Sequence, residues 1–121
     1  MRTTILIAAA TLALAAAPAA AQAPGGEALF KQRCGTCHTI DAGGAAKLGP
    51  PLRGVAGRKA GVVAGYAYST ALKGSGVVWD RANLDAYLAR PAARIPGTKM
   101  TLGVPAADQR AAIISYLATQ K

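Results

Sequence analysis

Cys34-Gly35-Thr36-Cys37-His38 is the stretch on which the reading of this chain turns. Two cysteines three positions apart at a helix end project to the same side, and the histidine follows directly on the second. C-x-x-C-H is the pattern of covalent haem attachment. Its spacing lets two sulfurs reach the two vinyl groups on one edge of a porphyrin and holds the histidine beneath the iron. Three other uses of these residues compete. A thioredoxin-like redox pair needs a strand-helix-strand setting, whereas the residues before Cys34 look helical. A structural zinc site needs four ligands, and two cysteines with one histidine make three. A simple disulfide is open to an exported pair of cysteines but gives no use for His38.

Counting ligands sharpens the first reading. His38 is the only histidine, so a second strong axial ligand has to be methionine, lysine or a terminal amine. Met1 belongs to the leading segment treated next, which leaves Met100. Its surroundings, Ile95-Pro96-Gly97-Thr98-Lys99-Met100, read as a turn, whereas methionines that only fill a core usually sit at periodic positions. His38 and Met100 are thus the expected iron ligands. Thioether ligation favours the ferrous state and a raised potential, and a closed coordination shell speaks against catalysis. No distal acid or base suited to oxygen or peroxide chemistry is visible.

The 121 residues suffice for one compact domain. Residues 1–21 read as a secretory signal: Arg2 gives a positive start, Ile5 to Ala17 form an apolar run, Pro18 breaks it, and Ala19 and Ala21 fit a small-x-small cleavage site. An uncleaved anchor is the competing use, but a bilayer span wants about 20 apolar residues. The domain is then 22–121. Of the 14 basic residues it loses only Arg2, so 13 face the five acids and the net charge is +8. Such a balance concerns association with acidic partners rather than fold. The charges are scattered, and the few aromatics form no base-stacking box, so nucleic-acid binding is not expected.

Three segments have helical periodicity. The first, about Gly26 to Cys34, is anchored by Leu29 and Phe30. Gly26 lies one turn before Phe30 on the same face, where a glycine allows another helix to approach closely. The second runs from about Arg81 to Arg90, capped by Asp80, with Leu84, Tyr87 and Leu88 on one face and Pro91 forbidding continuation. The third runs from about Pro105 to Thr119, with Ile113, Tyr116 and Leu117 on one face. A short turn, Ser69 to Lys73, ends at Gly74. Between His38 and Tyr66 lie 27 residues with seven glycines, two prolines and no convincing period. So long a loop counts against a compact domain unless it wraps a rigid body that the chain does not itself supply. The six aromatics of the domain make a thin core. Both features point to a large cofactor.

From Gly26 onward the chain resembles the soluble cytochrome c family of mitochondria and bacterial periplasms. The resemblance is carried in order by C-G-T-C-H-T, L-G-P-P-L-R-G-V-A-G-R-K-A-G, G-Y-A-Y-S, Y-L-A-R-P and I-P-G-T-K-M. It implies an all-α cytochrome c fold, a few helices and long loops enclosing one haem c held through two thioethers, with the first and last helices crossing. It also implies roles for particular residues. Pro50 matches the proline whose carbonyl accepts the far ring N–H of the haem histidine. Arg58, Tyr68 and Trp79 match the donors around the inner haem propionates, and Tyr87 and Thr98 match hydroxyls near the methionine and the haem.

The chain departs from the family pattern in places. Leu72 stands where an asparagine is usual near the inner propionate. The loop after Met100 is about one residue shorter, has Leu102 where an aromatic is common, and lacks the lysines that often follow. The resemblance implies a monomeric one-electron carrier in the bacterial periplasm, not an enzyme, touching membranes at most transiently. Its partners would be acidic-faced redox proteins, such as a respiratory or photosynthetic cytochrome bc complex, a terminal oxidase or a dehydrogenase. Arg33, Lys47 and Lys99 are expected around the exposed haem edge. A haem-bearing subunit or docking module of a larger dehydrogenase or respiratory complex is the other use of the same features.

Overall fold

A computed structural model of the chain describes residues 25–121. Residues 1–21, the segment read as a secretory signal, lie outside the described residues. Five helices follow one another: α1 Gly26–Arg33, α2 Thr70–Lys73, α3 Arg81–Ala89, α4 Pro91–Arg94 and α5 Ala107–Thr119. Among the described residues there is no sheet; a single antiparallel bridge pairs Lys59 with Val78. The architecture is the expected all-α one, helices and long loops with α1 packed on α5.

Local chemistry explains the helix ends. The Asp80 carboxylate accepts the Asn83 N–H at 2.7 Å and so caps α3. Ser69 does the same for α2, its hydroxyl accepting the Leu72 N–H at 3.1 Å. Pro91 does end α3, as expected, but it also opens α4: a proline has no N–H to lose at the first helical position, and its ring fixes φ for the next turn. The periodicity of the sequence does not show this short helix. The last helix begins at Ala107, two residues later than Pro105.

The α1–α5 crossing depends on Gly26. A Cβ built there would run into the Ala112 carbonyl oxygen and lie 2.7 Å from Tyr116 Cβ, so only a glycine admits the backbone of α5 at this distance. Phe30 fills the space beside it, fully buried like Ile113, with its ring 5.6 Å from that of Tyr116. From α3, Leu84, Tyr87 and Leu88 are buried, and from α5, Ile113, Ile114 and Leu117. The exit of the Met100 turn is tied to this frame. Val104 N–H donates to Leu88 O at 2.7 Å, and the Arg110 guanidinium reaches Asp85, Val104 O and Pro105 O at 2.8, 3.0 and 2.7 Å.

The long loop after His38 remains without helix or strand up to the bridge at Lys59. It is held by scattered backbone bonds: Leu52 N–H to Thr39 O, Gly54 N–H to Gln120 O, and Ala60 N–H to Val77 O, at 2.9, 2.7 and 2.8 Å. The helices, this loop and the Met100 turn surround a cavity of about 400 Å³. No helix among the described residues is long and apolar enough to cross a membrane.

Candidate functional site

α1 ends at Arg33, and the next turn carries Cys34 and Cys37 to the cavity wall, with His38 beside them. Neither cysteine is in a disulfide. Burial pushes the Cys34 thiol up to about 11, which leaves almost no thiolate at neutral pH, so Cys34 is poorly suited to attack in thiol exchange. No cluster of three or more histidine, cysteine or acidic side chains able to hold a metal ion occurs among the described residues. The redox-pair and zinc readings therefore gain nothing from the geometry.

His38 is oriented from behind. Its Nδ1 lies 2.7 Å from the Pro50 carbonyl oxygen. A carbonyl can only accept, so Nδ1 carries the proton and the Nε2 lone pair is left for the cavity. Burial lowers the imidazole's proton affinity, against a smaller opposing effect of the Pro50 bond, which favours the neutral ring that a metal requires. Met100 also lines the cavity. Its own N–H donates to the Thr98 hydroxyl at 3.4 Å, and that hydroxyl is 2.5 Å from the Tyr87 hydroxyl.

Arg58, Tyr68 and Trp79 line the same cavity. The Arg58 guanidinium donates to Arg53 O and Pro51 O, both at 3.1 Å, but no carboxylate is paired with it among the described residues. Burial lowers its proton affinity, against a smaller opposing effect of the Tyr68 phenol. A half-buried cation without a carboxylate partner, in a cavity also lined by Tyr68 and Trp79, suits an anionic group there. Leu72 is buried against the same space. Thus the ten residues read from the sequence as haem-binding or iron-ligating all line one cavity, whose volume falls within the ~300–1,000 Å³ of cofactor sites. Apolar walls, two thiols beside a neutral imidazole, a thioether and unneutralised donors fit a haem.

Three cations are expected around the haem edge. Arg33 and Lys99 line the cavity mouth, whereas Lys47 turns its ammonium to Gly35 O at 3.2 Å. Lys99 donates to Ala67 O at 2.5 Å. Leu48 and Leu102 stand at the same mouth, 79% and 73% exposed. Sequence reasoning passed over Leu48 and also Gly49, whose Cα faces the His38 ring.

A family model described as cytochrome c matches residues 23–121. The chain belongs to the cytochrome c family. It is 52% identical over 93 residues to the cytochrome c type-1 of Ascaris suum, covering 76% of this chain and 82% of that protein. It is 44% identical over 99 residues to the cytochrome c of Guizotia abyssinica, covering 81% and 89%. Among solved structures, cytochrome cH from Methylobacterium extorquens superposes with a TM-score of 0.71 at 44% identity, over 78% of this chain and 94% of that one. As a cytochrome c, the chain is an electron carrier with a covalent haem c, passes electrons between redox proteins, and is not an enzyme.

Proposed function

We propose that this cytochrome c is a soluble periplasmic carrier whose haem is bonded to Cys34 and Cys37 and ligated at iron by His38 and Met100. The observation that carries the reading is the common cavity: an imidazole fixed by Pro50 and a methionine whose backbone is tied to Thr98 line one apolar space. The haem supplies a reversible one-electron couple. The chain supplies the rest. His38 and Met100 would be the protein ligands to its iron, which would let oxidation and reduction proceed without a change of ligand; Tyr87 and Thr98 hold the methionine turn. Arg58, Tyr68 and Trp79 would hold the propionates, and the apolar walls would keep water from the metal. Thioether sulfur weights the couple toward the reduced state. Export rests on residues 1–21 and their signal pattern.

Partners fitting this surface are acidic-faced redox proteins, since the domain carries +8 and no acid lines the cavity mouth. The test is an absorption spectrum and redox titration of the haem-loaded protein and of Met100→Ala. A weak band near the red edge, characteristic of iron–sulfur ligation, is expected in the ferric wild type and absent from the variant, whose potential falls. An unchanged spectrum and potential would show that Met100 is only structural.

A further inference from the structure

Residues 47–50 form a clasp on the haem-attachment segment. The Gly49 N–H donates to Cys37 O at 2.9 Å, the Lys47 N–H to Gly49 O at 3.0 Å, and Pro50 O takes the His38 Nδ1–H at 2.7 Å. Gly49 is buried between them. A Cβ built on it would lie 2.7 Å from Nδ1 and 2.9 Å from Nε2 of His38, and closer still to Cε1 between them. A point so disposed is over the face of the ring rather than beyond its rim. The ring cannot simply swing aside, because its Nδ1 is bonded to the neighbouring residue of the same clasp.

The glycine is not there for its backbone. Gly54, Gly57 and Gly65 of the same loop have φ of +73°, +83° and +87° and open space around them, so conformation explains them. Gly49 has no positive φ and would accept a side chain but for the imidazole.

We propose that Gly49 is a positioning residue that sets the rotation of the His38 imidazole about its Cβ–Cγ bond: Pro50 fixes the ring's edge and the bare Cα of Gly49 fixes its face. The inference rests on the reading of His38 as an iron ligand. A methyl group at position 49 rotates the ring and weakens its bond to Pro50. Nε2 then becomes a poorer electron donor, because the Nδ1–H···O bond is what raises ligand basicity. Oxidised iron loses more from this than reduced iron, so the reduction potential rises.

The experiment compares the haem-loaded wild type, Gly49→Ala and Gly54→Ala by ferric electron paramagnetic resonance, redox titration and thermal melting. Gly49→Ala is expected to move the low-spin g-values and raise the potential. Gly54→Ala, strained at its positive φ, is expected to lower the melting temperature while leaving both unchanged. Wild-type g-values and potential in Gly49→Ala, or equal shifts in Gly54→Ala, would overturn the proposal. A measurement on the wild type alone guards against a variant that does not fold. The reduced protein should show a strong nuclear Overhauser contact between a Gly49 Hα and His38 Hε1, and its absence is equally fatal. A wild type without a histidine-ligated low-spin signal would instead refute the ligand assignment itself, before any variant is compared.

Discussion

The Tyr87 hydroxyl lies 2.5 Å from the Thr98 hydroxyl and so joins α3 to the turn that carries Met100. Thr98 passes the contact on, accepting the Met100 N–H. Tyr87→Phe removes one side of this link and should cost about 1 kcal/mol, the usual net worth of such a bond, with a weaker iron–sulfur band. Equilibrium denaturation and the red-edge spectrum check both. Burial raises the Tyr87 pKa above its ordinary 10.0, more than the Thr98 bond lowers it. The folded protein therefore holds the phenol proton where the unfolded chain has lost it. The associated stability is present below about pH 10 and is lost as pH rises through the raised folded value. The difference in stability between wild type and Tyr87→Phe should shrink over that alkaline range. A difference that stays constant there would disprove the linkage.

Gly26→Ala is expected to destabilise the α1–α5 crossing by roughly 1–3 kcal/mol, the usual cost of forcing extra volume into a packed contact. The obstacle is backbone, the Ala112 carbonyl, and cannot rotate away. Gly25→Ala, with nothing within 4 Å, serves as the comparison in chemical denaturation and should be close to neutral.

Arg58→Gln should lower the reduction potential. A cation near the haem favours the electron-rich reduced state, and no carboxylate of the described chain offsets Arg58. Redox titration against wild type reads the sign directly. An unchanged or higher potential would mean that the guanidinium serves only the carbonyls of Pro51 and Arg53.

Electron transfer to an acidic partner should slow as salt shortens the screening length from about 10 Å at 0.1 M to about 3 Å at 1 M. Among the mouth cations Arg33 should matter most. Lys47 and Lys99 are engaged with Gly35 and Ala67 carbonyls, and Lys99 also stands 5.8 Å from the Tyr66 ring centroid. The Arg33→Glu rate should drop further than the Lys99→Glu rate at low ionic strength, and the two should converge at high salt. Bimolecular rates with a purified oxidase or reductase, measured across that range, decide it; a flat response in every protein would leave the charge a matter of solubility.

Much of this was legible because the signals are local. Asp80 three residues before the N–H it caps, Gly26 one turn before Phe30, and two cysteines beside a histidine each carry their meaning within a few positions. What stayed hidden depends on partners far along the chain. Pro91 reads correctly as the end of one helix, yet α4 forms only because the chain turns at Arg90 and resumes. The seven glycines of the loop look alike in sequence. The structure separates those that need a left-handed backbone, such as Gly54, from Gly44 and Gly49, which need the absence of a side chain against Thr39 and His38. Arg110 likewise looks like an ordinary surface charge, but its side chain is only 12% exposed and holds the exit of the Met100 turn.

The two cysteines on the cavity wall also change what kind of equilibrium the protein obeys. A carrier that borrows its cofactor from solution is stabilised by mass action, in proportion to the logarithm of free ligand over its dissociation constant. With both sulfurs committed to thioethers, the cofactor belongs to the chain in the folded and the unfolded state alike, and that concentration term vanishes. Dilution cannot strip the carrier of its redox centre, and refolding needs no second molecule to be found.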